Sequence, residues 1–210
     1  MKESIPKIEH HKPRPPLKSD KFVFDLYIKE LQLTPEDFEK KILDIGAGSM
    51  QFAKYAEEQG IGNKIFSLEP EPHKFISKKP KTVGGEAGHI PFKDESFDLV
   101  ISAGAIPTIL VRNNEESVND PETWIKFDEY FKRIMLEMLR VTRVGGEIRM
   151  GPMAEGRVFK KNLLMKRNMN LIIAGLISEG RIIAEEISTG QLHYADGKDI
   201  GYLIKIKKLK

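Results

Sequence analysis

The chain has no cysteine, and that absence removes disulfide cross-links, thiolate metal sites and thiol catalysis together. Histidine is scarce as well. Five are scattered through 210 residues, with His10 and His11 near the amino terminus, so no dedicated zinc site is expected and no metal is assigned. Long apolar runs are also missing. The longest, Leu171 to Ile177, falls far short of the ~20 residues that a membrane span needs. The amino terminus lacks the apolar core of a signal peptide, which makes the cytoplasm the expected location.

What is present is the composition of a soluble globular protein, 40% hydrophobic and 31% charged, long enough to bury one core. The net charge of +3 is small but unevenly placed. Residues 1–21 carry six Lys/Arg against three Asp/Glu, and residues 198–210 carry five Lys against one Asp, so the body between them is acidic. A basic end can meet nucleic acid or an acidic surface. The plainer reading is a solubilising tail and an edge strand guarded by lysines. Pro6, Pro13, Pro15 and Pro16 with few apolar neighbours make residues 1–21 an extended arm. Residues 22–210 then form a single domain.

Within that domain the pattern alternates. Residues 22–33 predict an amphipathic helix, with a short turn from Thr34-Pro35. Ile42–Ile45 reads as a strand, Ser49–Gln59 as a helix and Ile65–Leu68 as a strand. A short helical stretch follows from Pro70 through Phe75 and Ile76, then a weak strand at Thr82 and Val83 and a clear one over Phe97–Ser102. Thr123–Val141 predicts the longest helix, stopped by Gly145-Gly146. A strand at Glu147–Met150, a helix over Val158–Ile177 and two strands, Ile182–Ile187 and Tyr202–Ile206, complete the chain. Short apolar strands alternating with helices specify an α/β fold, a doubly wound, Rossmann-like, mostly parallel sheet of seven strands with helices on both faces. The last two strands, joined by a loop alone, close it as an antiparallel hairpin at one edge.

The stretch ILDIGAGSM, residues 42–50, places an acid and two glycines where the first strand turns into its helix. In open α/β sheets, ligands lie beyond the carboxyl ends of the strands, and glycines there admit unusual backbone angles and close approach. A P-loop would need a lysine followed by Ser or Thr. A dinucleotide fingerprint would need Gly or Ala where Gln51 stands. Taken alone, DxGxG is also compatible with a tight turn. Glu69, twenty-one residues after Gly48 and at the end of the second strand, adds a carboxylate able to accept two hydrogen bonds from a ribose diol. GEAGHIPFKDESFDLVIS, residues 85–102, adds a polar loop, a turn and the fourth strand.

Together with LEMLRVTRVGGEIRM, residues 136–150, these segments resemble the class I S-adenosylmethionine-dependent methyltransferases, and among them the group acting on small molecules and lipids. The resemblance implies S-adenosylmethionine as cofactor. It implies that Asp44, Gly46, Ala47 and Gly48 face the amino-acid and ribose portions and that Glu69, with Pro70 beside it, binds the ribose. It also implies that Glu86 and Ala87 flank the adenine, where Asp is more usual than Glu, and that Ser102 and Ala103 lie beside the methionine part.

Methyl transfer from a sulfonium needs alignment more than a fixed catalytic group, and a general base only where the acceptor must lose a proton. Candidates for acceptor contact come from two segments treated as active-site insertions, 104–123 and 152–168, and from the last loop, TGQLHYADGKD, residues 189–199. His193 and Tyr194 are the candidates for acid/base or substrate contact, with Tyr27 next. Trp124, Phe127 and Phe131 recur at helical spacing and are expected in the core. Arg157, Lys160, Lys161 and Arg167 fall on one helical face, either solvated or a clamp for an acidic substrate. The fourth-strand segment SAGAIP lacks the Asn/Asp-Pro-Pro-aromatic signature of base-amino methyltransferases, and no single-strand stacking platform is visible. The expected partner is a small-molecule acceptor, with nucleic acid less favoured. RNA or protein methylation, a non-catalytic cofactor-binding regulator and a nicotinamide oxidoreductase are the alternatives. Nothing in the sequence sets the oligomeric state.

Overall fold

The computed structural model describes residues 19–70, 81–106, 121–154, 163–191 and 200–210. Helix α1 (Asp20–Glu30) opens them. The helical stretch expected at Phe75 and Ile76 falls outside them. Ser19 caps α1 by accepting from the Phe22 amide at 3.2 Å, which satisfies one of the free N–H groups at the helix start. The helix ends three residues earlier than its apolar pattern suggests. Gln32 takes a positive φ of 49°, and Leu31 and Leu33 are buried beyond the helix rather than along it. A 3-10 turn, Pro35–Glu39, leads into the sheet.

The sheet has seven strands: β1 (Ile42–Ile45), β2 (Ile65–Glu69), β3 (Thr82–Gly84), β4 (Phe97–Ala103), β5 (Thr142–Ala154), β6 (Ile182–Gln191) and β7 (Ile200–Lys208). Helices α2 (Gln51–Glu58), α3 (Pro121–Val141) and α4 (Leu163–Ser178) lie between strands in sequence. The spatial order is β3-β2-β1-β4-β5-β7-β6. The first five strands are parallel, and β7 runs antiparallel to both β5 and β6. The expected fold class is the one found, hairpin included.

Both sheet faces are covered, which is why all four residues of β1 are buried. Leu43, Ile45, Val100 and Ile148 join Phe131, Met135, Met138 and Ile173 from α3 and α4. Ile42, Ile65, Leu99 and Ile101 join Tyr27, Leu31, Phe38 and Phe52 on the opposite face. Phe131 is in the core as expected; the side chains of Trp124 and Phe127 fall outside those described.

Two expectations need correction. Gly145-Gly146 does not separate helix from strand, because β5 begins at Thr142, directly after α3. The pair instead absorbs an irregularity against β4, where pairing passes from Phe97–Thr142 to Leu99–Glu147. Gly145 takes a φ of +77°, and a Cβ on Gly146 would stand 2.9 Å from the Asp98 carbonyl. The lysines of the last strand do not guard an edge either. β7 lies between β5 and β6, and Lys208, buried, donates to the Thr142 carbonyl at 2.8 Å. The edge on this side of the sheet is β6, with β3 at the other. Among the described residues no helix is long and apolar enough to cross a membrane.

Candidate cofactor site at the strand tips

At the carboxyl end of β1 the chain makes three left-handed steps, at Gly46 (φ 71°), Gly48 (φ 53°) and Met50 (φ 59°). The first glycine is required by crowding as well as by φ, since a Cβ there would lie 2.3 Å from the Cβ of Ala105, just after β4. The bends following β1 and β4 are therefore in direct contact. A Cβ on Gly48, by contrast, would meet nothing within 4 Å, so that bend is open. The Gly46 and Ala47 amides donate to the Leu68 carbonyl at 2.9 and 3.3 Å. The Gly48 amide donates to Glu69 Oε2 at 3.0 Å. These bonds join the DxGxG bend to the end of β2, bringing Asp44, Gly46, Ala47, Gly48 and Glu69 to one place.

Asp44 is fully buried. Its Oδ1 accepts from the Tyr27 hydroxyl at 3.4 Å, and its Oδ2 has no partner. Burial pushes the carboxyl up to about 8, Glu69 adds to the rise, and the Tyr27 bond works against it. Tyr27 is itself held by stacking on Phe52, with centroids 4.4 Å apart. Burial, then the neighbouring Asp44, pushes its phenol well above the usual tyrosine range. Ser67 stands opposite Asp44 in the β1–β2 register, and its buried Oγ is also without a partner. Ser102, near the end of β4, repeats this with a buried, unpartnered Oγ; Ala103 is half-buried and Gly104 donates to the Gly151 carbonyl at 2.7 Å.

Beyond β3 the Gly85 amide donates to the Glu69 carbonyl at 3.3 Å, which sets the following turn beside β2. In that turn Glu86 is exposed and bridges His89, while Ala87 is buried. Pro70 is exposed. His193 and Tyr194 lie outside the described residues, as do Arg157, Lys160, Lys161 and residues 107–120 of the 104–123 segment; Arg167 is exposed on α4. Sequence reasoning missed Ser67, Ala105 and the pairing of Tyr27 with Asp44. Ser67 could have been found from the β1–β2 register, but the other two contacts join segments distant in sequence and leave no local signal.

The model of the methyltransferase domain matches residues 43–150, just over half of the chain. The chain belongs to the methyltransferase-domain family. This methyltransferase also resembles solved structures in fold. A methyltransferase from Methanosarcina mazei, described as S-adenosylmethionine-dependent, is 15% identical with a TM-score of 0.55, over 84% of this chain and 98% of that one. A Pyrococcus horikoshii OT3 protein is 14% identical with a TM-score of 0.51, over 90% and 88% of the two chains. A chain from the complex of the Haloferax volcanii Trm112 methyltransferase activator with a methyltransferase is 13% identical with a TM-score of 0.51, over 91% and 94%. No curated protein matches the chain.

The methyltransferase is S-adenosylmethionine-dependent. Its strand tips offer what a polar nucleoside with a cationic amino-acid tail needs. They present an open glycine bend, a half-buried carboxylate at Glu69, and buried oxygens on Asp44 and Ser102 with no protein partner. Buried polar atoms are seldom left unpaired, so unpaired oxygens clustered at a sheet's ligand edge fit such a group.

Proposed function

We propose that this methyltransferase acts on a small-molecule or lipid-like acceptor by in-line displacement, with its cofactor lying across Asp44–Gly48, Glu69-Pro70, Glu86-Ala87 and Ser102-Ala103. The observation that carries the placement is the bond from the Gly48 amide to Glu69, which joins the two motif segments at the ligand edge of the sheet. S-adenosylmethionine supplies an electrophilic methyl on a sulfonium with a good leaving group. The chain's own residues would bind and orient it. Glu69 would accept from the ribose hydroxyls, and its second oxygen has no bond to the bend. The Gly46–Gly48 backbone would lie against the ribose and amino-acid portions, and Ala87 would line the adenine side. Tyr27, bonded to Asp44 and stacked on Phe52, would keep water from that end of the site. Alignment of this kind is worth about 7–11 kcal/mol in well-oriented cases.

A small acceptor is supported by the absence of the base-amino signature in SAGAIP, residues 102–107. His193 and Tyr194 are proposed for acceptor contact because they follow Gln191, the carboxyl end of β6, and β6 runs parallel to β1. The boundary expected at residue 21 falls inside α1, which begins at Asp20 with Ser19 as its cap; we further propose that residues 1–18 are an arm on a single domain of residues 19–210. Incubation with S-adenosylmethionine and an acceptor library, scored by S-adenosylhomocysteine release, tests the reading. Turnover with a small hydroxyl, amine or thiol acceptor is expected. Turnover confined to RNA or protein would contradict it, as would none at all despite tight cofactor binding.

A further inference from the structure

Helix α3 holds the turn that carries Glu86 and Ala87 through four side chains, Tyr130, Arg133, Glu137 and Arg140, whose spacing of three and four places them on one face. Gly88 sits against the first two: a Cβ there would lie 3.1 Å from Tyr130 and 3.4 Å from Arg133. Glu137 Oε2 accepts the Ile90 amide at 2.8 Å, and Arg140 Nη2 donates to the Ile90 carbonyl at 2.8 Å. Ile90 is therefore gripped at both of its peptide groups. Arg140 Nη1 reaches the Phe92 carbonyl and Asp94 Oδ1, each at 2.8 Å. Its remaining donors return to Glu137 at 2.7 and 2.8 Å. All five guanidinium N–H groups are spent, three of them on the 90–94 segment and two on the carboxylate that also holds it.

This is more than a surface ion pair would need. The bonds go to main-chain groups of an irregular loop, and they fix where that loop starts, four residues before Ile90. We propose that Glu137 and Arg140 are positioning residues, which set the adenine selectivity of the cofactor site by locking the loop that presents Glu86 and Ala87. The inference rests on the placement of the cofactor given above. Removing the fork leaves the Ile90 and Phe92 carbonyls without their cation and lets the turn shift, and a supporting shell that loosens a site costs both affinity and discrimination.

The full chain carrying Arg140→Met, Glu137→Gln or Arg140→Lys, with Glu86→Ala as reference, is titrated with S-adenosylhomocysteine and with S-inosylhomocysteine. The second ligand replaces the adenine amino group by a carbonyl. All titrations are run well below each variant's melting temperature. The wild type is expected to prefer the adenine ligand. Arg140→Met and Glu137→Gln are expected to lose about tenfold for it and less for the inosine analogue, so the ratio moves toward that of Glu86→Ala. Arg140→Lys is expected not to restore the ratio, because an ammonium lacks the fork. Ratios that stay at the wild-type value, even with a lowered melting temperature, overturn the inference alone, since they leave the pair a purely structural role. A wild type that binds S-adenosylhomocysteine without preferring adenine also overturns it. A wild type that binds neither ligand overturns the placement of the cofactor itself, and this inference with it.

Discussion

Burial strips Asp44 of the water that would solvate its charge, and Glu69 adds a second negative charge nearby, so the carboxyl titrates at about 8 rather than 3.8. Between those values the folded chain keeps a proton that the unfolded chain has released. Asp44 therefore lowers stability as pH rises from about 4 to about 8, with no further change above that. Asp44→Asn, which resembles the neutral acid, is expected to flatten this fall. Urea midpoints of variant and wild type across that range check it, and parallel curves would contradict it. At Gly46 two independent constraints coincide, a φ of +71° and a Cβ position 2.3 Å from Ala105. Gly46→Ala is expected to cost about 1–3 kcal/mol of stability, measured by urea denaturation. Asp44, Gly46 and Glu69 were legible in the sequence because strand, turn and acid follow at fixed offsets. Tyr27 was legible only as an aromatic on a helix, since its bond to Asp44 spans seventeen residues and depends on how α1 crosses the sheet.

At the scale of elements, the 3-10 turn is tied to β5 by a buried ion pair. Arg149 donates to Asp37 through both terminal nitrogens, at 2.7 and 3.2 Å, and to the Gln32 carbonyl at 2.9 Å. The Asp37 and Arg149 side chains are 2% and 7% exposed. Arg149→Met would leave Asp37 with Lys40 as its remaining cation, and breaking a buried pair from one side costs about 3–5 kcal/mol. A loss near that size in chemical denaturation is expected; a change below about 1 kcal/mol would mean that water already screens the pair. Elements were read well where apolar runs were continuous, as in Ile42–Ile45 and FDLVIS. They were read poorly where glycine served a strand irregularity, as in β5, because Gly145-Gly146 is chemically indistinguishable from a helix stop. Leu31 and Leu33 extended the apparent α1 pattern because burial after a helix and burial along one look alike in sequence.

For the whole molecule, the order of strands was the least legible feature. The lysines at 205, 207 and 208 suggested an edge, yet β7 is interior and β6 takes the edge, because strand order is decided by which faces pack and leaves little trace in one strand's composition. Ser19 caps α1, and Asp20 binds both Lys54 and Gln51 of α2, so the first helix has its own cap and its own tie to the domain. Deleting residues 1–18 is expected to leave the melting temperature unchanged, and a fall of several degrees would make the arm structural. The most direct test of the account is calorimetric titration of the full chain and of Glu69→Ala with S-adenosylhomocysteine and with NAD. The account predicts that the wild type binds S-adenosylhomocysteine and not NAD, and that Glu69→Ala loses that binding while melting as the wild type does. Equal affinity in the two proteins, or preferential binding of NAD, would contradict it.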